Sequence, residues 1–521
     1  MRLSPHDLRQ LDEDVIAALD EAALRVLAVN LLADLKEAHD RLGQNPANSS
    51  RPSSSQAPWE AASAADTPQP PEDPTEDTPE DPTAPAAEPA SSAATTAPSD
   101  QNKAPAGKRP GAPGYGRLVT LPVQEEIPHS PDRCRCCGTP FPANAPAKGY
   151  NGRYELDVVT PTSGSPGLEV RHTKHVYLQR QCACGHWTHA EPGRCAENTD
   201  WQVELTEWHL AGPMLVALIC ALSLRQRVSR RGIQEFLADW LGVSLSIATI
   251  HQCLHEAGRA VAPVVERDIV PLIREAELLH VDETGWKEGK QLLWLWVFTC
   301  TTATLFAIGR RSRRMLHMTL GEAFVGWLMS DGFWAYRDYD RRLRCLAHLF
   351  RKAHGLDQSL DPLARAFGAA TLALFEDLLQ QVYQAREGPQ PPADLYQKNC
   401  GKLDAFSNLC VDHWDCAHEK TRQMAREFIH DWEAIWAVLE FPLLPITNNE
   451  AEQALRHWVI SRRISQGTRT EQGSRVFVLL ASVIETCRKR GVSPWTYLAQ
   501  VVKQRRKGEP APVLPELASA P

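Results

Sequence analysis

The stretch ELLHVDETGWKEGKQLLWLWVFTC, residues 277–300, decides how the central part of this chain folds. It contains two apolar runs, and a single aspartate, Asp282, directly follows the first of them. Short apolar runs between polar or glycine-containing segments are typical of buried strands. The pattern predicts one strand that ends near Asp282, a second over 292–300 and, from ATLFAIGR, a third over 303–310.

The segments that follow complete the pattern of a mixed α/β fold. We expect a helix over 320–328, a short strand leading into MSDGFWAY at 329–336, and a helix over RRLRCLAHLFRKAHG at 341–355. A long helical region, 360–440, then precedes a last helix that begins at the Asn-Asn pair 448–449. Strands and helices in this order are typical of a mixed sheet with helices on its faces.

Asp331 is the counterpart of Asp282. It also follows an apolar segment, FVGWLM, so the two carboxylates should lie at adjacent strand ends of one sheet. Oxygen ligands of this kind suit Mg²⁺ or Mn²⁺. Two such ions ~4 Å apart can activate a water or a sugar hydroxyl and stabilise the leaving oxygen of a phosphodiester. A third carboxylate from a helix would complete the site.

The last helix offers two candidates for that third carboxylate. Glu450 stands three residues after Thr447, the capping-box position, so a backbone role explains it. Glu452 lies four residues before Arg456 and could form an ordinary helix pair. The residue pattern by itself leaves the choice between them open.

Two cysteine clusters, CRCCG at 134–138 and CACGH at 182–186, flank segments that alternate like strands. Four thiolates around a tetrahedral ion form a structural zinc ribbon, and zinc would supply folding free energy to a small core. We therefore predict zinc at Cys134, Cys137, Cys182 and Cys184, with Cys136 or His186 as substitute ligands. A second metal site could involve Cys400, Cys410, His413, Cys416 and His418, whose spacings fit no common template.

Residues 233–258 have the proportions of a helix-turn-helix, with a helix over 233–241, a turn at Gly242 and a second helix from Ser246. A DNA-reading helix would present Thr249, His251 and Gln252. An ordinary αα-hairpin gives the same pattern, and these three side chains would then be solvated surface.

The charges of the chain are segregated. The formal net charge is −8, but residues 52–102 hold ten carboxylates and no Lys or Arg, so the remainder is slightly basic. Basic stretches at 309–354 and 450–491 make a polyanionic partner plausible, although a solvated charged surface has the same composition. No apolar run reaches the ~20 residues of a bilayer span, and the N-terminus has no signal-peptide pattern.

Several blocks resemble the insertion-sequence 66 family of DDE transposases. They are HVDETGWK, SDGFWAY, CLAHLFRKA, the cysteine clusters, LGQNPANSSRPSSS and above all the long C-terminal block that starts TNNEAEQALRHWVISRR. The resemblance implies a ribonuclease-H-like catalytic domain whose carboxylates are Asp282, Asp331 and Glu452. Glu452 is the Glu of the family's N-N-x-A-E motif, which favours it over Glu450. Gln453 departs from the Arg usual after that Glu.

The resemblance also implies a transposase that binds terminal inverted repeats and cleaves and transfers DNA strands with Mg²⁺ or Mn²⁺. We expect phosphate contacts from Arg462, Arg463, Arg469 and Arg475, a cytoplasmic, nucleoid-associated location in a prokaryote, a homo-oligomer, and accessory proteins of the same element as partners. A catalytically inactive end-binding regulator is the alternative.

The expected order is multidomain. An N-terminal helical or coiled-coil segment (1–43) comes first, with a seam of Ala28, Leu31, Leu35, Ala38 and Leu42, and a disordered Pro/Ala/Ser/acid-rich linker (44–106) follows it. A basic arm and zinc ribbon (107–200) and a helix-turn-helix-like region (201–265) come next. The catalytic domain (270–505) contains a helical insertion (360–440), and a disordered tail (506–521) ends the chain.

Overall fold

The computed structural model describes residues 11, 15–16, 19–42, 121–159, 167–197, 200–321, 324–389 and 394–517. The predicted linker 44–106, the start of the basic arm and residues 518–521 lie outside these ranges. The chain divides into two compact units, one formed by Asp77–Glu191 and the other by Met1–Glu76 with Pro192–Pro521. The boundary after Glu191 precedes the one that we expected at residue 200.

The first unit is built on a small sheet of strands β1 (Glu125–His129), β2 (Lys148–Val159), β3 (Glu169–Gln181) and β4 (Trp187–His189). β3 pairs with β1 in parallel and with β2 and β4 in antiparallel fashion. The segments with alternating polarity form β2 and β3, as predicted. Side chains of β3 alternate between a buried and a more accessible face.

The second unit begins with α1 (Glu21–Leu42) and continues after residue 191 with a group of helices. They are α2 (Pro213–Cys220, extended by a π-helical turn, Ala221–Arg225), α3 (Arg230–Leu241), α4 (Ile247–Val264, extended by Val265–Ile269) and α5 (Val270–Arg274). None of the helices within the described ranges is long and apolar enough to cross a membrane.

The two helices and the turn between them lie where the sequence predicted them. The Ser229 side chain caps α3, and Gly242 ends it in the left-handed conformation with φ 63°. The Ser246 side chain then caps α4 by accepting a hydrogen bond from Thr249 N. α4 packs against α2 and the two C-terminal helices α14 (Glu471–Lys489) and α15 (Pro494–Arg506). The hairpin is therefore part of the same compact unit as the downstream sheet.

The central sheet has the strand order β7-β6-β5-β8-β9 in the described part of the chain. Its strands are β5 (Leu278–Glu288), β6 (Gln291–Thr299), β7 (Thr304–Gly309), β8 (Trp327–Ser330) and β9 (Arg342–Arg344). β5, β6 and β7 are antiparallel neighbours, whereas β8 pairs in parallel with both β5 and β9. The three strands predicted from the apolar runs are all present.

Three local predictions around this sheet are wrong. β5 does not end near Asp282 but continues to Glu288, because β6 pairs with it from His280 to Glu288. The helix expected over 320–328 is displaced: α6 is Arg313–Leu320, and the apolar segment after Gly321 (φ 80°) forms β8. A short apolar run does not by itself distinguish strand from helix. Likewise β9 occupies the start of the helix that we expected over 341–355.

A helical insertion follows β9, as predicted. It comprises α7 (Leu346–Asp357), α8 (Pro362–Glu387), α9 (Leu395–Lys398), α10 (Cys400–Asp412), α11 (Glu419–His430) and α12 (Trp432–Glu440). Its core is aromatic, with buried Phe367, Phe375, Phe406, Phe428 and Trp436. Two acids at the C-terminal end of α11 tie the insertion to the sheet. Asp431, just after that helix, accepts hydrogen bonds from Arg337 and Arg342, and Glu427 pairs with Arg344.

The chain returns to the sheet through α13 (Asn449–Ser465) and α14. Both helices cover the face of the sheet that carries Trp286, Leu295, Val297 and Phe306, and Trp458 of α13 lies fully buried among them. The turn after α13 needs glycine at 467, where φ is 84° and a Cβ would lie 2.1 Å from the Lys287 carbonyl oxygen. This close approach holds the end of α13 against the end of β5.

The segment predicted as a disordered tail is packed over residues 506–517. Arg506 is 1% exposed and donates from Nε and Nη2 to the Glu256 carboxylate, at 2.6 and 2.8 Å. Further on, Arg267 donates to the Ala511 carbonyl, Arg490 donates to the Pro515 carbonyl, and Leu514 is buried. The proline-rich composition of this stretch suggested disorder, but long-range partners on α4 and α14 order it.

We predict that Arg506→Ala strongly destabilises the protein. The substitution leaves the Glu256 carboxylate, 1% exposed, without its bidentate partner, and breaking a buried pair in this way typically costs roughly 3–5 kcal/mol. Lys503→Ala, at an exposed position of the same helix, should change the free energy of unfolding by less than about 0.5 kcal/mol. Urea titration followed by tryptophan fluorescence measures both, and equal stability of the two variants would contradict the prediction.

Candidate functional site

The register of the central sheet places Asp282 and Asp331 side by side. β5 and β8 run in parallel, and their last paired residues are His280 and Met329. Asp282 and Asp331 each stand two residues beyond that pair, so they lie at the same level on neighbouring strands. Asp282 is within β5 and buried, whereas Asp331 follows the end of β8 and is partly buried. The adjacency that we predicted is present, although only one of the two strands ends there.

The face of β5 that carries Asp282 is the face that α13 covers. Asp282 is directly opposite Val297 on β6, and residues opposite each other in an antiparallel pair point to the same side. Val297 packs in the core cluster with Ala451 and Leu455 of α13. Glu452, in the first turn of α13, therefore approaches Asp282 from above the sheet.

Asn448, the residue before α13, fixes the start of that helix on β5. Its side-chain nitrogen donates to the Val281 carbonyl at 2.8 Å, and its side-chain oxygen is 3.1 Å from His280 Nδ1. Its backbone N–H donates to Cys345 Sγ at 3.3 Å. Asn448 is almost fully buried. These bonds set the position of Glu452 relative to the two aspartates.

The capping-box role that we predicted for Glu450 is wrong. The N-cap is Asn448, not Thr447, so Glu450 is one position too early to reach back to the cap. Instead the exposed Glu450 carboxylate pairs with Lys489 of α14 at 3.1 Å. Glu450 therefore lies on the solvent side of α13, away from the other candidate carboxylates.

Burial and mutual repulsion both act on these carboxylates. Burial raises the pKa of Asp282 well above its ordinary value, and the neighbouring charges of Glu283, Asp331 and Glu452 raise it further. All the groups concerned are hard oxygen donors, and a cluster of carboxylates that repel one another is the donor set that a divalent cation neutralises. The residues present thus fit Mg²⁺ or Mn²⁺.

Glu283, on the face of β5 opposite Asp282, is a buried acid that the sequence analysis missed. It is 2% exposed, and burial followed by the charge of Asp331 raises its pKa to about 7. Arg311 donates to one of its oxygens at 2.8 Å, and the Tyr336 hydroxyl donates to the other. Arg311 also stacks over the Trp294 and Phe333 rings. The signal available was a second acid beside Asp282 in a buried strand, which requires a buried partner.

Arg462 and Arg475, two of the four arginines expected to contact phosphate, have partners within the chain. Arg462 donates to the Thr284 hydroxyl at 3.0 Å and to the Gly285 carbonyl, so it ties α13 to β5. Arg475 pairs with Asp200 at 2.7 Å and stacks over Trp201. Arg463 and Arg469 are exposed at the end of α13 and in the turn beyond it.

The predicted DNA-reading residues of α4 differ in their surroundings. The Thr249 hydroxyl is 2.9 Å from the Ser246 hydroxyl in the cap of α4. Gln252 is exposed and 3.3 Å from His209 Nδ1. His251 is exposed and makes an edge contact with the His255 ring. His251 and Gln252 thus share an accessible side of the helix, whereas Thr249 takes part in the local cap.

The four cysteines of the predicted ribbon come together in the first unit. Their sulfur atoms all lie within 4.8 Å of one another, with Cys134 and Cys184 3.7 Å apart and Cys137 and Cys182 3.4 Å apart. Zn–S bonds of ~2.3 Å in a tetrahedron require S–S separations of about 3.8 Å. The hydrogen bond with the Thr139 side chain lowers the pKa of Cys137 to about 6. This cluster could hold zinc.

Across the described ranges, one more group of candidate ligands has all of its atoms within 4.8 Å, namely Cys345, His348 and Glu452. The three catalytic candidates Asp282, Asp331 and Glu452 do not meet that spacing. Neither does the set Cys400, Cys410, His413, Cys416 and His418, in which the His413 ring bonds the Leu409 carbonyl and the His418 ring caps α11. The second metal site considered at those residues therefore has no geometric support.

Proteins similar to this chain are found in Sinorhizobium fredii, where each is described as uncharacterised. The chain is 24% identical to protein y4qI over 305 residues, which cover 52% of this chain and 55% of that protein. It is 39% identical to protein y4jO over 61 residues, 12% of this chain and 19% of that protein, and 23% identical to protein y4jD over 201 residues, 35% and 38% respectively. The chain thus spans about half the length of these relatives or less.

A family model described as Transposase IS66 family matches residues 209–476, slightly more than half of the chain. The matched range includes every strand of the central sheet, the helical insertion and the candidate carboxylates. The resemblance seen in the sequence is thereby confirmed, and the chain belongs to the IS66 family of transposases.

Proposed function

We propose that this protein is a DNA transposase that binds the terminal inverted repeats of an insertion sequence and catalyses metal-dependent strand cleavage and transfer. The observation that carries the proposal is the buried Asp282 carboxylate, whose pKa is raised by burial and then by the nearby charges of Glu283, Asp331 and Glu452. A protein that only folded around this sheet would gain stability by replacing Asp282 with a neutral residue. Retaining three repelling carboxylates is a cost that cation binding explains.

A ribonuclease-H-like fold for the catalytic domain, 270–505, is consistent with the sheet. Three antiparallel strands are followed by two parallel ones, and the first strand of the series lies in the middle. The insertion at 360–440 separates Asp331 from Glu452 in sequence, and α13 returns to the sheet beside β5. Through this connection, a helix carboxylate reaches the two strand carboxylates.

Asp282, Asp331 and Glu452 would hold Mg²⁺ or Mn²⁺. Two such ions ~4 Å apart are the arrangement that phosphodiester chemistry of this kind uses. Bound there, the ions would activate a water or a DNA hydroxyl for attack on a phosphodiester. The chain itself keeps Glu452 in place beside β5 through Asn448, just before α13, and Arg462, near the end of α13, both of which bond β5.

DNA contact is proposed at two places in the second unit. Arg463 and Arg469 are exposed near the C-terminal end of α13 and suit phosphate contacts. His251 and Gln252 on α4 suit a role in reading inverted repeats. The zinc ribbon and the basic arm over 107–200 are proposed as a separate DNA contact. A homo-oligomer is supported by the exposed Leu31 and Leu35 of the coiled-coil seam on α1. Accessory proteins of the same element are further proposed partners.

The alternative function is an end-binding regulator that lacks catalysis. It would need the DNA-contacting surfaces but would gain nothing from a complete carboxylate set. The presence of all three acids favours the enzyme, and the following substitution experiment distinguishes the two.

We predict that Asp282→Asn, Asp331→Asn and Glu452→Gln each lower the rate of strand cleavage by roughly 10²-fold or more, while binding to DNA ends persists. Each change keeps the shape of the side chain but removes the anion that a hard cation requires. Glu450→Gln is the matched control, since its carboxylate pairs with Lys489 at the surface. Gel assays with DNA carrying the element's ends, with Mg²⁺ or EDTA, measure cleavage and binding. Loss of cleavage in the Glu450 variant but not in the Glu452 variant would refute the assignment.

Asp282→Asn should stabilise the metal-free protein. A carboxyl whose pKa is raised in the folded state contributes stability below its unfolded pKa, ~3.9, and this stability is lost as the pH rises through the folded pKa. At pH 8 in EDTA the variant should therefore be more stable than the parent protein. Added Mg²⁺ should stabilise only the parent protein. Thermal denaturation with EDTA and with Mg²⁺ tests both statements, and a less stable variant in EDTA would contradict them.

We also propose zinc at Cys134, Cys137, Cys182 and Cys184. Cys137→Ser should lower the zinc content of the full chain by one equivalent, because a four-thiolate site loses most of its affinity for zinc when one of its ligands is removed. Cys136→Ser removes a neighbouring exposed thiol outside the cluster and should leave the zinc content unchanged. Elemental analysis after dialysis measures the difference. Equal zinc content in the two variants would rule out this ligand set.

A further inference from the structure

The ends of two helices bring three different ligand types together beside the carboxylate site. Cys345 is the N-cap residue of α7, and His348 lies three residues later, so both side chains project from the first turn of that helix. Glu452 faces them from the first turn of α13. One atom from each residue, a sulfur, an imidazole nitrogen and a carboxylate oxygen, lies within 4.8 Å of the others.

The imidazole in this group has no other function in the fold that would account for it. His348 is 9% exposed, and its Nδ1 atom is buried without a hydrogen bond to any part of the chain that the structure describes. Nδ1 is 4.0 Å from Glu452 Oε1, which is too long for a hydrogen bond. Metal bonds of ~2.0–2.2 Å to a tetrahedral ion would place the two atoms about 3.4 Å apart, so binding needs them to approach by only about 0.6 Å. A small cation between the two atoms would satisfy both.

The thiol and the surroundings also suit a cation. Cys345 is fully buried, and its sulfur accepts the hydrogen bond from Asn448 N, which directs the sulfur toward the start of α13. Of the three cations that act on the His348 imidazole, Arg351, Lys352 and Arg344, the last two are paired with Glu427, at 3.0 Å for Lys352, so their charges are largely balanced. Sulfur, nitrogen and oxygen donors in one site are typical of Zn²⁺ rather than of Mg²⁺.

We propose that Cys345, His348 and Glu452 form a site for Zn²⁺ or a chemically similar ion, with a fourth position open to water. Binding replaces the thiol proton, which passes to solvent, by the metal ion. This part of the proposal concerns only the three ligands and does not depend on any activity.

The consequence for regulation rests on the proposed function. Glu452 would be shared between this site and the Mg²⁺ or Mn²⁺ site, and one carboxylate oriented toward Cys345 and His348 is drawn away from Asp282 and Asp331. Zinc bound at Cys345 and His348 therefore inhibits strand cleavage by competing for Glu452. Zinc at the four-cysteine cluster of the other unit has no such effect.

Binding is tested with the full chain and Co²⁺, whose thiolate complexes absorb in the near ultraviolet. Cys345→Ser and His348→Gln should each bind one equivalent less of Co²⁺ and of Zn²⁺ than the parent protein. Cys400→Ser, which removes an exposed thiol outside any ligand group, is the matched control and should bind as the parent does. Circular dichroism establishes whether each variant is folded. If Cys345→Ser does not fold, the metal content of His348→Gln alone tests the proposal. Parental metal content in a folded His348→Gln variant would overturn the proposal.

Inhibition is tested by adding Zn²⁺ to the cleavage assay at fixed Mg²⁺. The zinc concentration for half-inhibition, relative to each protein's own uninhibited rate, should rise by roughly tenfold or more in His348→Gln, since altering the ligand environment of a zinc site typically costs at least that in affinity. Equal sensitivity of the parent and the variant would refute the competition for Glu452. Absence of cleavage by the parent would count against the proposed function alone, and the Co²⁺ measurement would still decide the metal site.

Discussion

The attachment of α13 to β5 through Asn448 is the constraint on which the rest of the site depends. A single buried amide donates to the Val281 carbonyl and meets the His280 ring, while its backbone bonds the Cys345 sulfur. Three elements far apart in sequence, β5, α7 and α13, therefore meet at one residue. Because an amide that loses a buried partner costs about 1–3 kcal/mol, the register of α13 on the sheet is strongly specified. Glu452 lies one helical turn after Asn448, so the same bonds fix its position relative to the sheet.

Around this attachment, the fold compensates for placing like charges close together. Asp282 faces α13, and Glu283, the next residue, points to the opposite side of β5. Glu283 is held by Arg311 and Tyr336, which partly balance its charge, whereas the charges of Glu283, Asp331 and Glu452 all act on Asp282. The arrangement separates a structural carboxylate from the candidate catalytic ones on a single strand.

Sequence reasoning predicted the parts of the fold that depend on local pattern. The first three strands of the central sheet follow from apolar runs, and the paired helices around Gly242 follow from capping serines and a left-handed glycine. It failed where pairing decides the outcome: Trp327–Ser330 is a strand because it pairs with β5 and β9, although its composition suits a helix equally well. The tail at 506–517 is ordered by partners on distant helices, which composition does not reveal.

The site shows the same division at the level of single residues. The adjacency of Asp282 and Asp331 could be predicted because both follow apolar segments, whereas choosing Glu452 over Glu450 required the family resemblance. The structure now gives a physical reason for that choice. Glu452, Leu455, Val459 and Arg462 follow one another at helical spacing along one stripe of α13. Leu455 and Val459 are buried against the sheet. Arg462 donates to β5 at one end of the stripe, so Glu452 must face β5 at the other, and Glu450, two residues earlier, points to Lys489 instead.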